Sequence, residues 1–220
     1  MNSKTKQLTT LAMLTAIAYV VGLYRISFMA GAPFLTYDAK DVIIVIGGLM
    51  FGPLSALFMS VTLAFLEMIT HSGTGLFGMI MNAIASAAFA CPAAYIYSRF
   101  RNLKGAVLGI FVGIIIATST MLLWNYLIIP VFMVNVTREQ AAGMLIPIIL
   151  PFNLIKTTLN GALVMMIYKP IVVALQASRL YTPVQSGSST KSKFYLGMML
   201  VCAFVAVSLI LVILAMQGVF

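Results

Sequence analysis

The sequence predicts an all-α integral membrane protein: a bundle of six helical segments, followed by a seventh apolar helix at the C-terminus. Of the 220 residues, 62% are hydrophobic and only 8% are charged, and the mean hydropathy is +1.10. A soluble domain of this length needs more surface polarity than that. Apolar runs close to the roughly 20 residues that cross a bilayer as a helix recur along the chain. Glycine, proline and charged residues separate these runs.

The first two apolar regions predict three helices. The run from about Leu8 to Tyr24 has no small-residue cleavage site, so we expect a retained helix and not a signal peptide. Residues 42–70 are interrupted by Gly47-Gly48 and Gly52-Pro53. These breakers predict two short helices that meet at a tight turn, each near the lower length limit for a span.

The rest of the chain predicts four more helices and a linker. Residues 181–193 contain Pro183, a serine-glycine run and two lysines, which is typical of a flexible linker. We therefore divide the chain into a membrane core at 1–178, a linker at 179–193 and an additional helix at 194–220. The predicted helices follow at residues 76–97, 105–130, 147–174 and 195–216.

The basic residues lie on alternate connections, which predicts the orientation of the chain. Nine of the thirteen lie before the first helix, at 99–104 or at 169–193, where there is no acidic residue. The other four, and all four acidic residues, lie on the opposite side. The positive-inside rule then predicts a protein of the cell membrane with its N-terminus on the cytoplasmic side. The net charge of +9 is thus a topology signal that suits anionic lipid headgroups, and no nucleic-acid partner is predicted.

A polar stripe lies in the helix predicted at 147–174. Asn153, Lys156 and Asn160 share one helix face, and Lys156 is the only charge between residues 140 and 168. A charge at membrane depth costs roughly 2.5 to 3.5 kcal/mol on insertion scales, so it persists where it has a function. The stripe predicts a ligand-binding face. The alternative is a lysine that snorkels to the interface from a helix end.

Two further groups of charged residues lie toward the same side. Asp38, Lys40 and Asp41 form a cluster at a predicted helix start, where a carboxylate can cap free N–H groups. Capping explains an aspartate there and leaves Lys40 unexplained. Glu67 and His71 are four residues apart and are predicted to form a local hydrogen-bonded pair. They do not predict a metal site, because zinc needs three or four ligands.

Polar and aromatic residues at the outer helix ends predict a capture site that opens to that side. Amides outnumber charges among them, so we expect a ligand that is planar, offers several hydrogen-bonding edges and has little net charge. The candidates are Asp38, Lys40, Glu67, Thr74, Asn125, Asn153 and Lys156, with the aromatic residues Tyr37, Trp124, Tyr126 and Phe152.

Nucleotide hydrolysis and cysteine chemistry are not predicted. The turn at residues 71–75 lacks the lysine of a phosphate-binding loop, and the pattern GxxxxGK[ST] does not occur in the sequence. Cys91 and Cys202 lie in different apolar runs, so neither a disulfide framework nor a metal site is indicated.

Three stretches of the sequence carry a family resemblance that covers roughly Leu8 to Ala174. Residues 37–41 (Tyr-Asp-Ala-Lys-Asp), with the glycines at 47–48 and the Phe-Gly-Pro turn at 51–53, resemble the second-helix motif of the S components of energy-coupling factor (ECF) vitamin transporters. Residues 124–130 (Trp-Asn-Tyr up to Pro130) and 151–156 (Pro-Phe-Asn-Leu-Ile-Lys) look like the riboflavin-specific branch.

The resemblance implies a six-helix protein that binds riboflavin as transported ligand, with no cofactor, and that is not an enzyme. It further implies that Asn125, Asn153 and Lys156 contact the flavin. Ala12 and Ala16 on the first helix would dock on a shared transmembrane subunit, which works with two ATPase subunits. The seventh helix departs from the six-helix pattern.

Two alternatives stay open at the level of the sequence. One is an S component for another vitamin, such as thiamine or a B6 vitamer, or for the phosphorylated flavin FMN. A cationic ligand would need pocket carboxylates, for which Asp38, Asp41 and Glu67 are the candidates. The other is a membrane enzyme or assembly factor, for which Glu67 with His71 is the one candidate pair.

The orientation can be tested by thiol labelling in intact cells. After Cys91 and Cys202 are replaced by serine, a cysteine at Arg138 should react with an impermeant reagent. A cysteine at Asn102, in the basic connection, should react only after the membrane is permeabilised. The reverse pattern would contradict the predicted orientation.

Overall fold

The computed structural model describes residues 3–29, 32, 34–71, 73, 75–133, 136–177 and 192–216. Within these residues the secondary structure is helical, apart from one isolated antiparallel bridge between Ile26 and Tyr37. The helices are α1 (Ser3–Gly22), α2 (Lys40–Phe51), α3 (Pro53–Thr70), α4 (Gly75–Phe100), α5 (Leu103–Phe132), α6 (Arg138–Met144), α7 (Leu150–Ala177) and α8 (Ser192–Met216).

The helices form the predicted six-segment bundle with one more at its C-terminal end. A π-helical turn at Leu145–Ile149 joins α6 to α7, so these two form one continuous segment. In the described ranges, four segments are long and apolar enough to cross a membrane: α3, α4, α5 and the continuous segment at 138–174. The all-α fold class predicted from the sequence is confirmed. The linker at 179–193 lies, up to residue 191, outside the described residues.

A tight turn joins α2 to α3, as the glycine and proline pattern predicts. Gly52 has φ 97°, a positive backbone angle that residues with a Cβ adopt only with strain. Pro53 follows as the first residue of α3, where its missing N–H has no intrahelical partner to lose. The turn therefore ends one helix and begins the next within a single residue.

Helix α2 lies in the middle of the bundle and not against lipid. Eleven of its twelve residues are buried, and it packs against α1, α3, α4 and α7. At 1.5 Å per residue, twelve residues span only about 18 Å. Gly48 permits the close approach, because a Cβ there would lie 2.8 Å from the Cβ of Ala56 and 3.0 Å from that of Ala94.

The start of α2 corrects the capping prediction. Its N-cap residue is Ala39, which makes no side-chain capping bond. The carboxylates of Asp38 and Asp41 instead point to partners on other helices, α7 and α4. Their function at this position is tertiary pairing and not local capping.

The stretch between the helices predicted at 105–130 and 147–174 was expected to be a loop, and this expectation is wrong, because Arg138 and Glu139 begin α6. Thr137 accepts a hydrogen bond from the backbone N–H of Gln140, and the Gln140 side chain accepts one from the backbone N–H of Thr137. This reciprocal capping box satisfies two donors that a helix start otherwise leaves free.

Helix α8 packs along α7 on a regular seam. Ala206 and Ile213 are buried in a cluster with Leu159 and Ala162 of α7, and Cys202 packs at its edge. Spacings of four residues from Cys202 to Ala206 and of seven from Ala206 to Ile213 place these three on one helix face. The opposite face of α8, including Leu200, Phe204 and Leu211, is exposed.

Candidate functional site

A cavity of about 250 Å³ lies at one end of the bundle. The C-terminal ends of α3 and α5 and the N-terminal ends of α2, α4 and α7 meet there, and part of the first loop closes over it. The polar and aromatic side chains that line it are Arg25, Phe34, Thr36, Asp38, Asp41, Glu67, Phe77, Asn82, Phe89, Trp124, Asn125, Phe152, Asn153, Lys156 and Thr157.

Glu67 is the centre of the charged wall of this cavity. It is 1% exposed, and both its oxygens accept from the Lys40 ammonium, at 2.8 and 2.7 Å. Asn82 Nδ2 of α4 donates to Glu67 Oε2 at 3.0 Å. The Arg25 guanidinium of the first loop lies 3.6 Å from Oε1. One carboxylate of α3 thus ties together the first loop, α2 and α4.

His71 does not pair with Glu67 through its side chain, which corrects the prediction of a local pair. Its Nε2 lies 2.7 Å from Arg25 Nη2, and its Nδ1 lies 2.9 Å from the hydroxyl of Thr70. Burial and the neighbouring Arg25 guanidinium lower the pKa of His71. The imidazole is therefore neutral at pH 7, with Nε2 accepting from Arg25 and Nδ1 donating to Thr70.

Lys156 is fixed by an ion pair within the protein. Its ammonium donates to Asp38 Oδ2 at 3.1 Å, and the same carboxylate oxygen lies 3.8 Å from the Lys40 ammonium. The Lys156 side chain is 14% exposed. The snorkelling alternative is wrong, because the ammonium is turned into the bundle and lines the cavity.

Asn160 connects Tyr37 to the backbone of Asp38 and so helps to position the Asp38–Lys156 ion pair. Tyr37 donates its hydroxyl to Asn160 Oδ1 at 2.9 Å, and Asn160 Nδ2 donates to the backbone oxygen of Asp38 at 3.3 Å. Asn160 is fully buried and is not among the residues that line the cavity. The third member of the polar stripe therefore positions Asp38 instead of facing a ligand.

Two asparagine amides form the opposite wall. Asn125 Nδ2 donates to the backbone oxygen of Met121 at 2.7 Å, and Asn153 Nδ2 donates to that of Ile149 at 2.8 Å. Each amide keeps one N–H and its carbonyl oxygen without a partner among the described residues, and both side chains line the cavity. Each can therefore offer a donor and an acceptor side by side.

The π-helical turn sets the direction in which Asn153 and Lys156 point. Pro147 and Pro151 have no N–H, so neither can bond the carbonyl four residues before it. The N–H of Leu150 instead bonds the oxygen of Leu145, five residues back. The extra residue rotates all that follows in α7, and such π-turns are frequent at functional sites.

Aromatic rings lie beside the amides. Phe152 is 4% exposed and stacks on Phe28 of the first loop, with 5.3 Å between ring centroids and 27° between planes. Trp124 lines the cavity next to Asn125, and its indole N–H has no partner within the part of the chain that the structure describes. This wall thus combines apolar ring faces with amide edges.

The sequence-predicted residues fall into three groups. Asp38, Trp124, Asn125, Phe152, Asn153 and Lys156 come together around the cavity. Lys40 does not line it, because its ammonium is turned toward Glu67. Thr74 lies outside the described residues. Tyr126 does not line the cavity either.

Sequence reasoning missed the pairing of Asp41 with Ser86. The Ser86 hydroxyl donates to Asp41 Oδ1 at 2.5 Å, and both residues are buried. A signal was present, because Asn82 and Ser86 are four residues apart and share one face of α4. Both of them bind a carboxylate of the charged wall.

Comparison with known proteins identifies the class. Residues 6–168 match the family described as ECF transporter, substrate-specific component, and the chain belongs to that family. The protein is therefore a multi-pass membrane transport component and not an enzyme, and its relatives indicate no cofactor.

Several members resemble the chain over most of its length. It is 29% identical to the riboflavin transporter FmnP of Bacillus subtilis over 181 residues, covering 79% of this chain and 93% of that protein. It is 27% identical to the riboflavin transporter RibU of Staphylococcus aureus over 169 residues, covering 74% and 89%. A solved structure described as the S component of a bacterial ECF transporter superposes with a TM-score of 0.66 at 27% identity, covering 79% of this chain and 99% of its own.

The buried ion pair between Lys40 and Glu67 predicts a strong thermodynamic coupling. Replacing either partner alone (Lys40→Met or Glu67→Gln) removes the nearest opposite charge from a buried group and leaves only a longer contact, Arg25 at 3.6 Å for Glu67 or Asp38 at 3.8 Å for Lys40. We expect each substitution to cost about 3–5 kcal/mol of unfolding free energy. The double variant should cost clearly less than the sum of the two. Denaturant unfolding of the purified protein would measure this.

Glu139→Gln is the matched control for that cycle. Glu139 is an exposed carboxylate at the start of α6, and its replacement should change the unfolding free energy by less than about 1 kcal/mol. Additive single and double effects at Lys40 and Glu67 would show that the pair contributes no coupling.

Proposed function

We propose that the chain is a riboflavin-binding S component, which captures the vitamin on the outer side and delivers it inward when coupled to an ECF energising module. The observation that carries the proposal is the wall formed by Asn125, Asn153 and Lys156 on α5 and α7. Three hydrogen-bonding groups face one cavity there, next to the rings of Trp124 and Phe152. The relatives named as riboflavin transporters support the same ligand.

The chemistry of this wall suits an isoalloxazine ring. The polar edge of that ring alternates hydrogen-bond donors and acceptors, and each free amide face offers one of each. Lys156 donates one N–H to Asp38, and its ammonium has two more for a ring carbonyl or a hydroxyl group. The aromatic side chains supply apolar area against the ring faces.

The charge distribution supports the orientation in this proposal. The cavity lies at the end of the bundle where acidic and basic residues balance, and the 99–104 connection lies at the other end. With the N-terminus in the cytoplasm, the cavity faces outward. Capture outside and delivery inside then require a change that this chain does not drive, because it lacks a nucleotide-hydrolysis motif.

Helix α1 offers a surface for the partner that drives delivery. Ala12 and Ala16 are exposed and lie four residues apart on one face. Small residues at this spacing let two helices approach closely in lipid. We propose that this face docks on the transmembrane subunit of the ECF module, whose two ATPase subunits supply the energy.

The pocket prediction concerns three substitutions. Asn125→Ala, Asn153→Ala and Lys156→Ala should each weaken riboflavin binding by roughly 5- to 150-fold, because each leaves a ligand group without its partner in a buried site. Equilibrium titration by quenching of flavin fluorescence measures the change.

A conservative substitution outside the cavity is the control. Asn102→Ser keeps the N-cap bond that Asn102 makes to the N–H of Gly105, so riboflavin affinity should not change. If folded Lys156→Ala binds riboflavin as tightly as the unmodified protein, the assignment of Lys156 to the site is wrong.

The coupling prediction separates binding from transport. The isolated chain should bind riboflavin and show no ATP-driven uptake. With the energising module present, Ala12→Trp or Ala16→Trp should abolish uptake and leave the affinity for riboflavin unchanged, because the bulky ring blocks close helix approach.

Val107→Trp is the matched control for the docking face. Val107 is 45% exposed on α5, away from α1, so a tryptophan there should leave both binding and uptake intact. Loss of riboflavin affinity in the α1 variants would mean that the two alanines support the fold of the binding site instead of a docking surface.

A further inference from the structure

Asp41 carries a carboxylate oxygen that the protein does not use. The side chain is 4% exposed, and its Oδ1 accepts from the Ser86 hydroxyl at 2.5 Å. Its Oδ2 has no hydrogen-bond partner among the described residues. Asp41 is among the residues that line the cavity. A buried acceptor that is fixed in place and open to a cavity suits a donor from a ligand.

The short bond from Ser86 holds this oxygen in one orientation. A distance of 2.5 Å is typical of a hydroxyl that donates to a charged carboxylate. The bond restrains rotation of the carboxyl group, so Oδ2 stays on the cavity side. Asn82, one turn earlier on α4, is bound to Glu67, so α4 positions two carboxylates of the same wall.

The cavity has two chemically different walls, and Asp41 belongs to the charged one. Asn125 and Asn153, with the aromatic rings, come from α5 and α7. Asp38, Asp41 and Glu67 come from the start of α2 and the end of α3. A planar ring suits the amide and aromatic wall, which leaves the rest of the ligand beside the carboxylates.

We propose that Asp41 is a specificity-determining residue, which accepts a hydrogen bond from a hydroxyl group on a neutral polyhydroxyl chain of the ligand. The inference rests on the proposed function, because the chain is the ribityl group if the ligand is riboflavin. Ser86 is the positioning residue for this contact, since it binds the carboxylate and leaves its second oxygen to the ligand.

The charges of the lining favour a neutral chain over a phosphorylated one. Three carboxylates line the cavity, against the two cations Arg25 and Lys156. Each cation lies within 4 Å of a carboxylate, Arg25 near Glu67 and Lys156 near Asp38. Asp41 forms no ion pair within 4 Å in the described part of the chain. A phosphate next to it would meet a like charge that the more distant Lys156 and Lys40 ammonium groups compensate only in part, in a medium of low dielectric constant.

The test compares two flavins on the same protein variants. Lumiflavin keeps the ring system and carries a methyl group in place of the ribityl chain. Asp41→Ala should weaken riboflavin binding by roughly 10- to 100-fold, the range for a lost hydrogen bond to a charged group. It should change lumiflavin binding by less than about 2-fold, because the ring contacts lie on the other wall. Glu139→Gln, an exposed carboxylate, should change neither.

Asp41→Asn tests the charge separately, by comparing riboflavin with FMN. The substitution keeps the shape and removes the negative charge, so the ratio of riboflavin affinity to FMN affinity should fall. An unchanged ratio would overturn the inference about phosphate.

The unmodified protein supplies a measurement that needs no variant to fold. Riboflavin should bind it at least 10-fold more tightly than lumiflavin. Equal affinities, or an equal loss for both flavins in Asp41→Ala, would overturn the role of Asp41 and leave the proposed function intact. If the unmodified protein binds neither flavin, the proposed function fails, and this inference fails with it.

Discussion

The need to neutralise buried charge governs the architecture of the binding end. Asp38, Lys40, Asp41 and Glu67 are each at most 4% exposed, and an isolated charge in such a place costs several kcal/mol even after relaxation. Lys40 can reach Glu67 only if the start of α2 lies beside the end of α3. Asp38 can reach Lys156 only if α7 lies against the same point. The ion pairs therefore stabilise one relative placement of these helices and disfavour others, because a shifted helix would leave a charge without its partner.

This constraint leaves the opposite side of the cavity free for recognition. The charges of Lys40 and Glu67 compensate each other, so this pair stabilises the placement of α2 against α3 and is not required to contact a ligand. Asn125 and Asn153 each donate one N–H to a backbone oxygen one turn earlier in the chain. The second N–H and the carbonyl oxygen of each amide remain available. Lys156 belongs to both parts, since it is held by Asp38 and also lines the cavity. An ammonium group that is already held in place loses less conformational entropy when a ligand binds, which favours high affinity.

The fold and the helix face that carries Asn153 and Lys156 could be predicted from the sequence, because both depend on local patterns. The hydropathy pattern predicted the apolar helical segments, and the Gly52-Pro53 pair predicted the turn between α2 and α3. The i, i+3, i+7 spacing of Asn153, Lys156 and Asn160 gave the polar stripe. Sequence spacing does not show which charged residues from distant segments will pair. Lys40 was therefore expected to contact the ligand, whereas it pairs with Glu67. Asp41 was expected to cap a helix, whereas it accepts a hydrogen bond from Ser86. The π-turn before α7 was missed because prolines at 147 and 151 suggest a break, whereas the backbone here continues through a bond to the fifth residue back. The capping box of Thr137 and Gln140 was visible in the sequence and would have predicted α6.

The proposed flavin site between the amides and the carboxylates can be tested by the absorbance spectrum of the purified protein. The protein should be produced in cells supplied with riboflavin and purified in mild detergent. We expect a yellow preparation that carries flavin bands at close to one flavin per chain, and that loses them on unfolding. A folded, colourless protein that acquires no flavin absorbance after incubation with riboflavin and removal of the excess would show that this cavity does not bind riboflavin.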